Sequence, residues 1–339
     1  MKYNLLGNTG LKVSELCLGT MTFGGKGMFK AIGSLGQEPV DALMKRAVEA
    51  GINFIDTANV YSEGMSEELT GQSIKNLGLN RDDLVLATKV RSKMGDGPND
   101  SGLTRKHIIQ QAEDSLKRLQ TDYIDLYQIH SYDPLTPLEE TLEALDTLVK
   151  SGKVRYIGAS NLASWQLMKA LDYSHYNHVA KFVSLQAYYT IAGRDLEREL
   201  IPLLYDQKVG LMVWSPLAGG LLSGKYNRDE QHKEGGRRAN FDFPPVNRDR
   251  AFDILDLLQP MAEAKGATVA QLALAWLLHQ SAVTTVIIGA NKMEQLDDNL
   301  KSIDVQFNAE ELQQLDAASK MPSEYPAWML ERTGSDRKI

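Results

Sequence analysis

Short apolar runs recur eight times along this chain, and segments of helical periodicity separate them. The runs are rich in Ile, Val, Leu and aromatic residues, as expected of strands that are covered on both faces. They are Leu16–Thr20, Phe54–Ala58, Leu84–Lys89, Ile124–His130, Tyr156–Ser160, Phe182–Ala187, Leu211–Ser215 and Thr285–Gly289. Strict alternation of strands with helices predicts a parallel sheet that carries its helices on the outside.

The segments between the runs place apolar residues three and four positions apart, as in amphipathic helices. The helix predicted over Thr104–Leu119 begins at a threonine, a residue type favoured at the N-cap. The one over Pro137–Lys150 has proline in its first turn and Gly152 just beyond its end. Further helices are predicted over Pro39–Ala50, Ala163–Leu171, Leu196–Gln207, Val269–His279 and Ala309–Lys320.

Eight strand–helix units in a chain of 339 residues predict an α/β fold, a (β/α)8 TIM barrel with an extra C-terminal helix. The alternative is an open doubly wound sheet. It is disfavoured because no G-x-G-x-x-G sequence follows any of the runs. Before the first run, Tyr3–Leu6 and Leu11–Val13 flank a Gly/Asn-rich centre, which predicts a β-hairpin that plugs or covers the barrel. We expect one barrel domain over residues 1–339.

Composition narrows the classes of function. The formal net charge of −7 argues against a nucleic-acid-binding protein, which usually carries a basic stripe. A single cysteine, Cys17, excludes an intramolecular disulfide and fits a reducing compartment. The N-terminus lacks the apolar core of a signal peptide, and no uncharged run reaches the ~20 residues of a membrane helix. We therefore expect a soluble cytoplasmic protein without nucleic-acid or membrane partners; its oligomeric state stays open.

Polar or aromatic residues end almost every run. The carboxyl ends of barrel strands share one rim, where barrel enzymes hold their active sites. Asp56, Lys89 and His130 belong to the ends of the second, third and fourth runs, and Tyr61 follows Asp56 closely. Because isolated buried charges are costly, these side chains should contact one another. The other runs end in Ser160-Asn161, Gln186, Trp214-Ser215 and Gly289-Ala290-Asn291.

The chemistry available to these four side chains is proton donation to an oxygen anion. A tyrosine hydroxyl has a pKa near ~10, and a neighbouring lysine lowers it by stabilising the phenolate. Asp56 would keep Lys89 charged, and His130 would donate a hydrogen bond to a carbonyl oxygen. Such a set suits a carbonyl that receives a hydride. Hydrolysis is disfavoured, because the chain has no recognisable serine or cysteine nucleophile motif. The plainer alternative is an Asp56–Lys89 salt bridge that serves stability alone.

Several motifs, in this order, resemble those of the aldo-keto reductase superfamily. They are Leu6-Gly7-x-Thr9-Gly10-Leu11-x-Val13-Ser14, Leu18-Gly19-Thr20-Met21, Gly51-x-Asn53-x-Ile55-Asp56-Thr57-Ala58-x-x-Tyr61, Leu119-x-Thr121-Asp122-Tyr123-Ile124-Asp125-Leu126-Tyr127-x-x-His130 and Gly152-Lys153-Val154-Arg155-Tyr156-Ile157-Gly158-x-Ser160-Asn161. The resemblance runs from the hairpin to about Leu300. It is nearest to the bacterial and plant branch that includes potassium-channel β subunits.

The resemblance implies a catalytic tetrad of Asp56, Tyr61, Lys89 and His130. Tyr61 would be the general acid in reduction and the general base in the reverse direction. Lys89 and Asp56 would tune Tyr61, while His130 would orient the carbonyl. The function implied is reversible, NADPH-dependent reduction of aldehyde or ketone carbonyls to alcohols. The alternative is an NADPH-sensing regulatory subunit with little turnover.

The resemblance also implies a nicotinamide cofactor that lies extended across the barrel mouth. Ser160, Asn161 and Gln186 would bind its carboxamide, and Trp214 would stack on its ring. The remaining implied cofactor-binding residues are Gly19, Thr20, Met21, Ser215, Pro216, Leu217, Gly219, Leu221, Lys225, Gly289, Asn291, Lys292, Gln295, Asp298 and Asn299. NADPH is preferred because Lys292 supplies a cation near the adenosine end, and NADH is the alternative.

Expectations also follow for the loops, two histidines and the single cysteine. Loops should supply substrate contacts: Phe23 to Phe29, the neighbourhood of Met94, and the tail with Tyr325, Trp328 and Met329. The interval 216–247 predicts a long irregular loop, in which Gly235-Gly236-Arg237-Arg238 should form solvated surface. His175 and His178 lack an evident third ligand, so no metal site is predicted. Cys17 should be an inert core residue.

Overall fold

The computed structural model describes residues 1–226, 228, 238 and 241–334. The strands are β1 Tyr3–Leu5, β2 Lys12–Ser14, β3 Leu16–Gly19, β4 Phe54–Asp56, β5 Val85–Val90, β6 Ile124–Ile129, β7 Val154–Ser160, β8 Phe182–Tyr188, β9 Gly210–Trp214 and β10 Val283–Ile288. The last eight close into one parallel barrel in the order β10-β3-β4-β5-β6-β7-β8-β9. The predicted (β/α)8 barrel and all eight predicted strands are confirmed.

Helices surround this barrel. In the described residues they are α1 Gln37–Glu49, α2 Met65–Asn76, α3 Arg105–Leu119, α4 Leu138–Lys150, α5 Ser164–Asn177, α6 Leu200–Gln207, α7 Arg248–Lys265, α8 Val269–Leu278, α9 Met293–Leu300, α10 Ala309–Ser319 and α11 Ala327–Gly334. Thr104 caps α3 as predicted, since its hydroxyl accepts a hydrogen bond from the His107 N–H at 3.3 Å. Among these described helices, none is both long and apolar enough to cross a membrane.

Helix boundaries differ from the sequence expectation in three places. Helix α6 begins at Leu200, four residues after the predicted start at Leu196. Helix α5 continues past Leu171 to Asn177 and ends where His178 adopts left-handed backbone, φ 55°. The tail around Trp328, which was expected to be a loop, forms the short helix α11. Its apolar residues Trp328, Met329 and Leu330 are consecutive and exposed, and eight residues are too few to show a repeating apolar face.

The N-terminal hairpin seals one end of the barrel, so the prediction of a plug is confirmed. Strands β1 and β2 pair antiparallel, with Tyr3 opposite Ser14. Leu6 and Val13 are fully buried and pack with interior barrel residues such as Phe54 and Leu126. A separate, larger apolar cluster lies between the strands and the helices. Because the hairpin covers the amino-terminal ends of the strands, the opposite rim is left for a site.

Strand register aligns the rim residues. In parallel strands, paired residues face the same side of the sheet. Lys89 of β5 pairs with Gln128 of β6, and Ser160 of β7 pairs with Gln186 of β8. Asp56 of β4 pairs with Gly19 of β3. The polar strand ends predicted from the sequence therefore meet at one rim.

Candidate active site

Lys89 is the centre of the cluster at this rim. Its ammonium group lies 2.5 Å from Asp56 Oδ2, 2.8 Å from the Thr57 carbonyl and 3.4 Å from the Tyr61 hydroxyl. The Lys89 side chain is fully buried, and that of Asp56 is only 3% exposed. The ammonium thus bridges a carboxylate and a phenol, which is the contact expected from the sequence.

A strained turn delivers Tyr61 to this cluster. Strand β4 ends at Asp56, and the 3-10 turn Tyr61–Gly64 follows it after a short connection. Inside the turn Ser62 and Glu63 have left-handed backbone, with φ of 51° and 59°. The Ser62 hydroxyl donates to the Phe23 carbonyl at 3.1 Å, which anchors the turn. Strain of this kind persists where surrounding structure holds it, and it is concentrated at functional sites.

The charge state of Lys89 follows from its neighbours. Burial acts to lower the pKa of this lysine, but the negative charge of Asp56, the Tyr61 oxygen and the hydrogen bonds to both raise it overall. Lys89 therefore stays protonated at neutral pH. A fixed cation beside the phenol stabilises the phenolate that remains after Tyr61 gives up its proton.

His130 lies on the other side of Tyr61. The two rings meet edge to face, with centroids 5.8 Å apart. The Nδ1 atom of His130 is buried and has no hydrogen-bond partner among the described residues. Burial, followed by the positive charges of Lys89 and Arg91, lowers the pKa of His130 to about 3. A neutral imidazole can donate one hydrogen bond to a carbonyl oxygen, so the proton donor of the cluster is Tyr61.

This depressed pKa predicts a pH dependence of stability. Between about pH 3 and pH 6.5 the unfolded chain protonates His130 and the native chain does not. The free energy of unfolding therefore falls as the pH falls, by about 1 kcal/mol per pH unit from this residue. In chemical denaturation between pH 7 and pH 4, His130→Gln should flatten this slope by that amount. Equal slopes for wild type and His130→Gln would contradict the assignment.

Gln128 is a buried member of the site to which no role was assigned from the sequence. Its Nε2 donates to Asp56 Oδ1 at 2.9 Å, and Gln186 Nε2 donates to the same oxygen at 2.9 Å. Gln186 also donates to the Gln128 side-chain oxygen at 3.2 Å. Both carboxylate oxygens of Asp56 are thus occupied, one by Lys89 and one by two amides. The signal was present in the sequence, because Gln128 precedes His130 by two positions and so faces the same side of its strand.

The predicted carboxamide-binding residues form a chain of contacts across the mouth. The Ser160 hydroxyl donates to the Gln186 carbonyl at 2.9 Å. Asn161 Nδ2 donates to the His130 carbonyl at 3.0 Å, and its Oδ1 accepts from Trp214 Nε1 at 3.1 Å. The structure therefore brings these residues together with the Tyr61 cluster.

An aromatic stack surrounds Trp214. Phe243 lies parallel to its indole, at 5.8 Å between centroids and 6° between planes. Tyr188 meets it at 5.2 Å in a tilted arrangement. Trp214 is partly exposed and can offer ring surface to a planar ligand.

The segment after β9 forms a tight turn that contains several left-handed residues. Ser215, Ala218, Gly219 and Gly220 all have positive φ, between 50° and 93°. The Ser215 hydroxyl accepts a hydrogen bond from the Gly219 N–H at 3.0 Å. The N–H groups of Ala218 and Gly220 are also bonded within the segment, to the Ser215 and Leu217 carbonyls at 2.8 and 2.9 Å. Pro216 and Leu221 are buried, Leu217 is partly buried, and Lys225 is exposed.

Arg238 corrects one expectation about the long loop. It is not solvated surface: the residue is 3% exposed, and it donates to the Ala218 and Pro244 carbonyls at 2.7 and 2.9 Å. It also forms an ion pair with Asp242 at 2.6 Å. A planar guanidinium can bind several acceptors at once, so Arg238 fastens the loop beneath the Ala218–Ser223 turn. Gly235, Gly236 and Arg237 lie outside the described residues.

The residues expected at the adenosine end surround the start of α9. Asn291 and Lys292 are exposed, and Lys292 is the N-cap residue of α9 without a side-chain cap. The Gln295 side chain accepts from the Asn291 N–H at 2.9 Å, and Asn299 Nδ2 donates to the Gly289 carbonyl at 3.4 Å.

Asp298 points its carboxylate toward α8. Its oxygens accept from the Thr268 hydroxyl at 3.0 Å and from Gln271 Nε2 at 2.7 Å. In this structure the side chain therefore ties α9 to the start of α8. Its contact with a cofactor stays a prediction.

At the end of β3, the three predicted cofactor residues have different environments. The Thr20 hydroxyl is buried and bonded to Ser66 at 2.8 Å, and Gly19 packs tightly against Ile287. Met21 packs in a small cluster with Tyr61 and Phe29. A side chain at Gly19 would come within 2.7 Å of Ile287, so this position requires glycine.

Of the loops expected to contact substrate, the one with Phe29 lies beside Tyr61, whereas the tail lies against other residues. Phe29 meets Tyr61 edge to face at 5.4 Å, and Phe241 packs on the same cluster, which makes an apolar wall beside the phenol. The tail instead forms a groove of about 590 Å³ whose lining includes Tyr325, Leu330 and Trp165 but no tetrad residue.

The remaining candidates from the sequence are metal-ligating side chains and Cys17. Within the described ranges, no group of three His, Cys, Asp or Glu side chains is arranged to hold a metal ion. Cys17 is free and buried, and burial, with the charge of Asp56 adding to it, raises the pKa of its thiol well above the usual value. It is therefore an unreactive core residue, as expected from the sequence.

Comparison with known proteins gives the family directly. The aldo/keto reductase family model matches residues 15–320. An uncharacterized oxidoreductase of Bacillus subtilis is 40% identical over 93% of this chain and 95% of its own length. A probable voltage-gated potassium channel subunit beta of Arabidopsis thaliana is 37% identical, over 90% of this chain and 92% of its own. Versiconal hemiacetal acetate reductase of Aspergillus parasiticus is 36% identical, over 93% and 96%. The family match covers most of the chain and includes every strand of the barrel, so this protein belongs to the aldo/keto reductase family.

Proposed function

We propose that this protein catalyses the reversible, NADPH-dependent reduction of aldehyde or ketone carbonyls to alcohols. The observation that supports this most strongly is the buried Asp56–Lys89–Tyr61 arrangement, with the Lys89 ammonium 2.5 Å from the carboxylate and 3.4 Å from the phenol. A salt bridge that served stability alone would need no phenol beside it. The strained Tyr61 turn and the neutral imidazole of His130 complete a site that is suited to protonating an oxygen.

In this proposal, the role of each residue follows from its position in the site. The bound cofactor supplies the hydride that the carbonyl carbon receives. His130 donates a hydrogen bond that orients the carbonyl oxygen, and Tyr61 transfers its proton to that oxygen as negative charge develops. Lys89 stabilises the phenolate that remains, while Asp56 holds Lys89 in place. In the direction of oxidation, the same phenolate accepts the proton of the alcohol.

The residues around the mouth fit a nicotinamide dinucleotide. Ser160, Asn161 and Gln186 present amide and hydroxyl groups, and Trp214 presents ring surface. The turn after β9, where Gly219 and Gly220 have no side chain, would let a pyrophosphate approach the backbone, and exposed Lys225 would supply a positive charge. At the far end, the uncapped first turn of α9 and exposed Lys292 favour an additional phosphate, which supports NADPH over NADH.

A second candidate comes from the Arabidopsis relative, which is named as a probable channel subunit. In that case the protein would bind the cofactor tightly and act through a protein partner, with little turnover. The direct test is to follow NADPH absorbance with a panel of aldehydes and ketones, and to repeat it with NADH. Saturable consumption of NADPH with several carbonyls supports the reductase. Tight NADPH binding without consumption would favour the subunit.

Gln128 gives a test of the buried network. Replacing it by leucine preserves its size but removes one of the two amide donors to Asp56, so Lys89 is held less firmly. We expect Gln128→Leu to lower kcat by about 10-fold, as for loss of a hydrogen bond to a charged group. The Kd of NADPH should change little. The control is Gln110→Leu, an exposed amide in α3 that donates to the Asp114 carboxylate at 3.1 Å instead. An unchanged kcat in Gln128→Leu would show that the network has no catalytic effect.

A further inference from the structure

Arg91 is the residue that directly follows β5, and the register places it beside His130. Lys89 pairs with Gln128, and Val90 pairs with Ile129. The His130 N–H continues this ladder by donating to the Val90 carbonyl at 2.9 Å. The next aligned position, one residue beyond the end of β5, is Arg91. A cation therefore stands at the rim next to the residue that orients the carbonyl in the proposed reaction.

The guanidinium of Arg91 has no partner among the described residues. It forms no hydrogen bond and no ion pair there, although the residue is partly buried and its Nε atom is fully so. The nearby carboxylate, Asp133, is already occupied: it accepts from the Leu103 and Leu135 N–H groups at 2.8 and 3.0 Å and from the Thr136 hydroxyl at 2.7 Å. A buried donor without a partner is costly, and such groups need an explanation.

The backbone at Arg91 is also held in an unusual conformation. Its φ of 145° is one that side-chain-bearing residues rarely adopt. The Arg91 carbonyl accepts a hydrogen bond from the Gly102 N–H at 2.8 Å, so the surrounding loop maintains this geometry. Backbone strain that the fold sustains around a rim cation is typical of a functional position.

The position of Arg91 in the ring excludes the phosphates of the cofactor as its ligand. In the closed barrel, β5 stands opposite β9, with three strands between them on either side. The proposed pyrophosphate segment follows β9, so it lies across the mouth from Arg91. What Arg91 can reach is the space beside His130, where the proposed reaction holds its substrate.

We propose that Arg91 is a specificity-determining residue that binds an anionic oxygen, such as a carboxylate, on the carbonyl substrate. The preferred substrates would be aldehydes or ketones that carry an acidic group near the reacting carbonyl. A planar guanidinium matches a carboxylate with two parallel hydrogen bonds. The apolar wall of Phe29 and Phe241 would contact the carbon skeleton between the two groups. This proposal rests on the proposed function, because it places the carbonyl at Tyr61 and His130.

The test compares charged and neutral substrates in wild type and Arg91→Gln. The three carboxybenzaldehydes vary the spacing between aldehyde and carboxylate, and the formylbenzamides are their neutral counterparts. For at least one spacing, wild type should show a kcat/KM about 10-fold or more higher for the acid than for the amide. Arg91→Gln should lose that preference, so that its kcat/KM falls about 10-fold more for the acid than for unsubstituted benzaldehyde. Lys93→Gln, which removes an exposed rim cation two residues away, should keep the preference.

A binding measurement separates a failure of the Arg91 proposal from a failure of the proposed reductase function. Benzoate binding, followed by calorimetry on the protein with its nicotinamide cofactor, should weaken about 10-fold in Arg91→Gln, whereas benzamide binding should not. If benzaldehyde turns over but acids and amides behave alike in wild type, the role of Arg91 is refuted and the reductase stands. If no aldehyde turns over yet benzoate binds through Arg91, the reductase fails and the anion site stands. An equal loss for benzaldehyde and the acids would mean that Arg91 is merely structural.

Discussion

Tyr61→Phe should lose nearly all reductase activity while it retains cofactor binding. The substitution removes one oxygen atom, and in the proposed mechanism that oxygen holds the proton delivered to the carbonyl. Loss of a positioned general acid typically costs about 100- to 10,000-fold in rate, and we expect kcat to fall within that range. The Kd of NADPH should stay within about 3-fold, because an isosteric ring still fills the space against Phe29. Stopped-flow NADPH consumption and fluorescence titration measure the two quantities.

The matched control for this variant is Tyr123→Phe. Tyr123 also loses only a hydroxyl, one that donates to Asp82 at 2.8 Å just before the start of β6, at the end of that strand remote from His130. Its kcat should equal that of wild type. If Tyr61→Phe retains more than about a tenth of the wild-type kcat, Tyr61 is not the proton donor, since general acid catalysis would then contribute too little.

Lys89→Met should damage both activity and stability. It removes the cation beside Tyr61 and leaves the Asp56 carboxylate buried without its countercharge. Breaking a buried ion pair from one side destabilises by about 3–5 kcal/mol, so the denaturation midpoint should drop strongly. We expect kcat to fall about 100-fold or more, because the phenolate loses its stabilising charge. The raised pKa of Lys89 means that its contribution to stability is complete below about pH 10.5 and is lost only as the pH rises further.

A double variant separates these two effects. Lys89→Met combined with Asp56→Asn removes both charges, and the denaturation midpoint should recover most of the loss while kcat stays low. The exposed pair Lys93–Asp96 is the control for stability, since Lys93→Met should leave the denaturation midpoint close to that of wild type. Recovery of kcat together with stability would show that Lys89 acts only through the fold.

Much of the architecture could be predicted because its strands and its helices each leave a recognisable pattern of apolar residues in the sequence. Barrel strands covered on both faces read as apolar runs, and all eight runs are strands in the structure. Helix α3 could be predicted together with its cap, since Thr104 marks its start. Helices such as α2 were not identified. It begins directly after the irregular Tyr61 turn and buries polar residues, including Glu67 and Thr70, so its pattern lacks a clear apolar stripe.

In the candidate site, the residue types and the strand ends indicated the tetrad, but the contacts between side chains could not be read from a one-dimensional pattern. Gln128 looked like part of a strand end, and its link to Asp56 depends on how β6 is aligned with β5. Arg238 is the opposite case. A charged residue beside glycines is typical of solvated loops, yet three acceptors supplied by the fold make its burial favourable. The role proposed for Arg91 likewise depends on its alignment beside His130, which only the structure shows.

The hairpin at the floor of the barrel has a consequence for electrostatics. Leu6 and Val13 exclude solvent from below, so water dipoles can reach the Lys89 ammonium only through the mouth. A ligand that fills the mouth displaces this water and lowers the local dielectric constant. Attraction between Lys89 and a phenolate then becomes stronger, because less solvent screens it. The sealed floor therefore makes the strength of this attraction depend on whether the mouth is occupied.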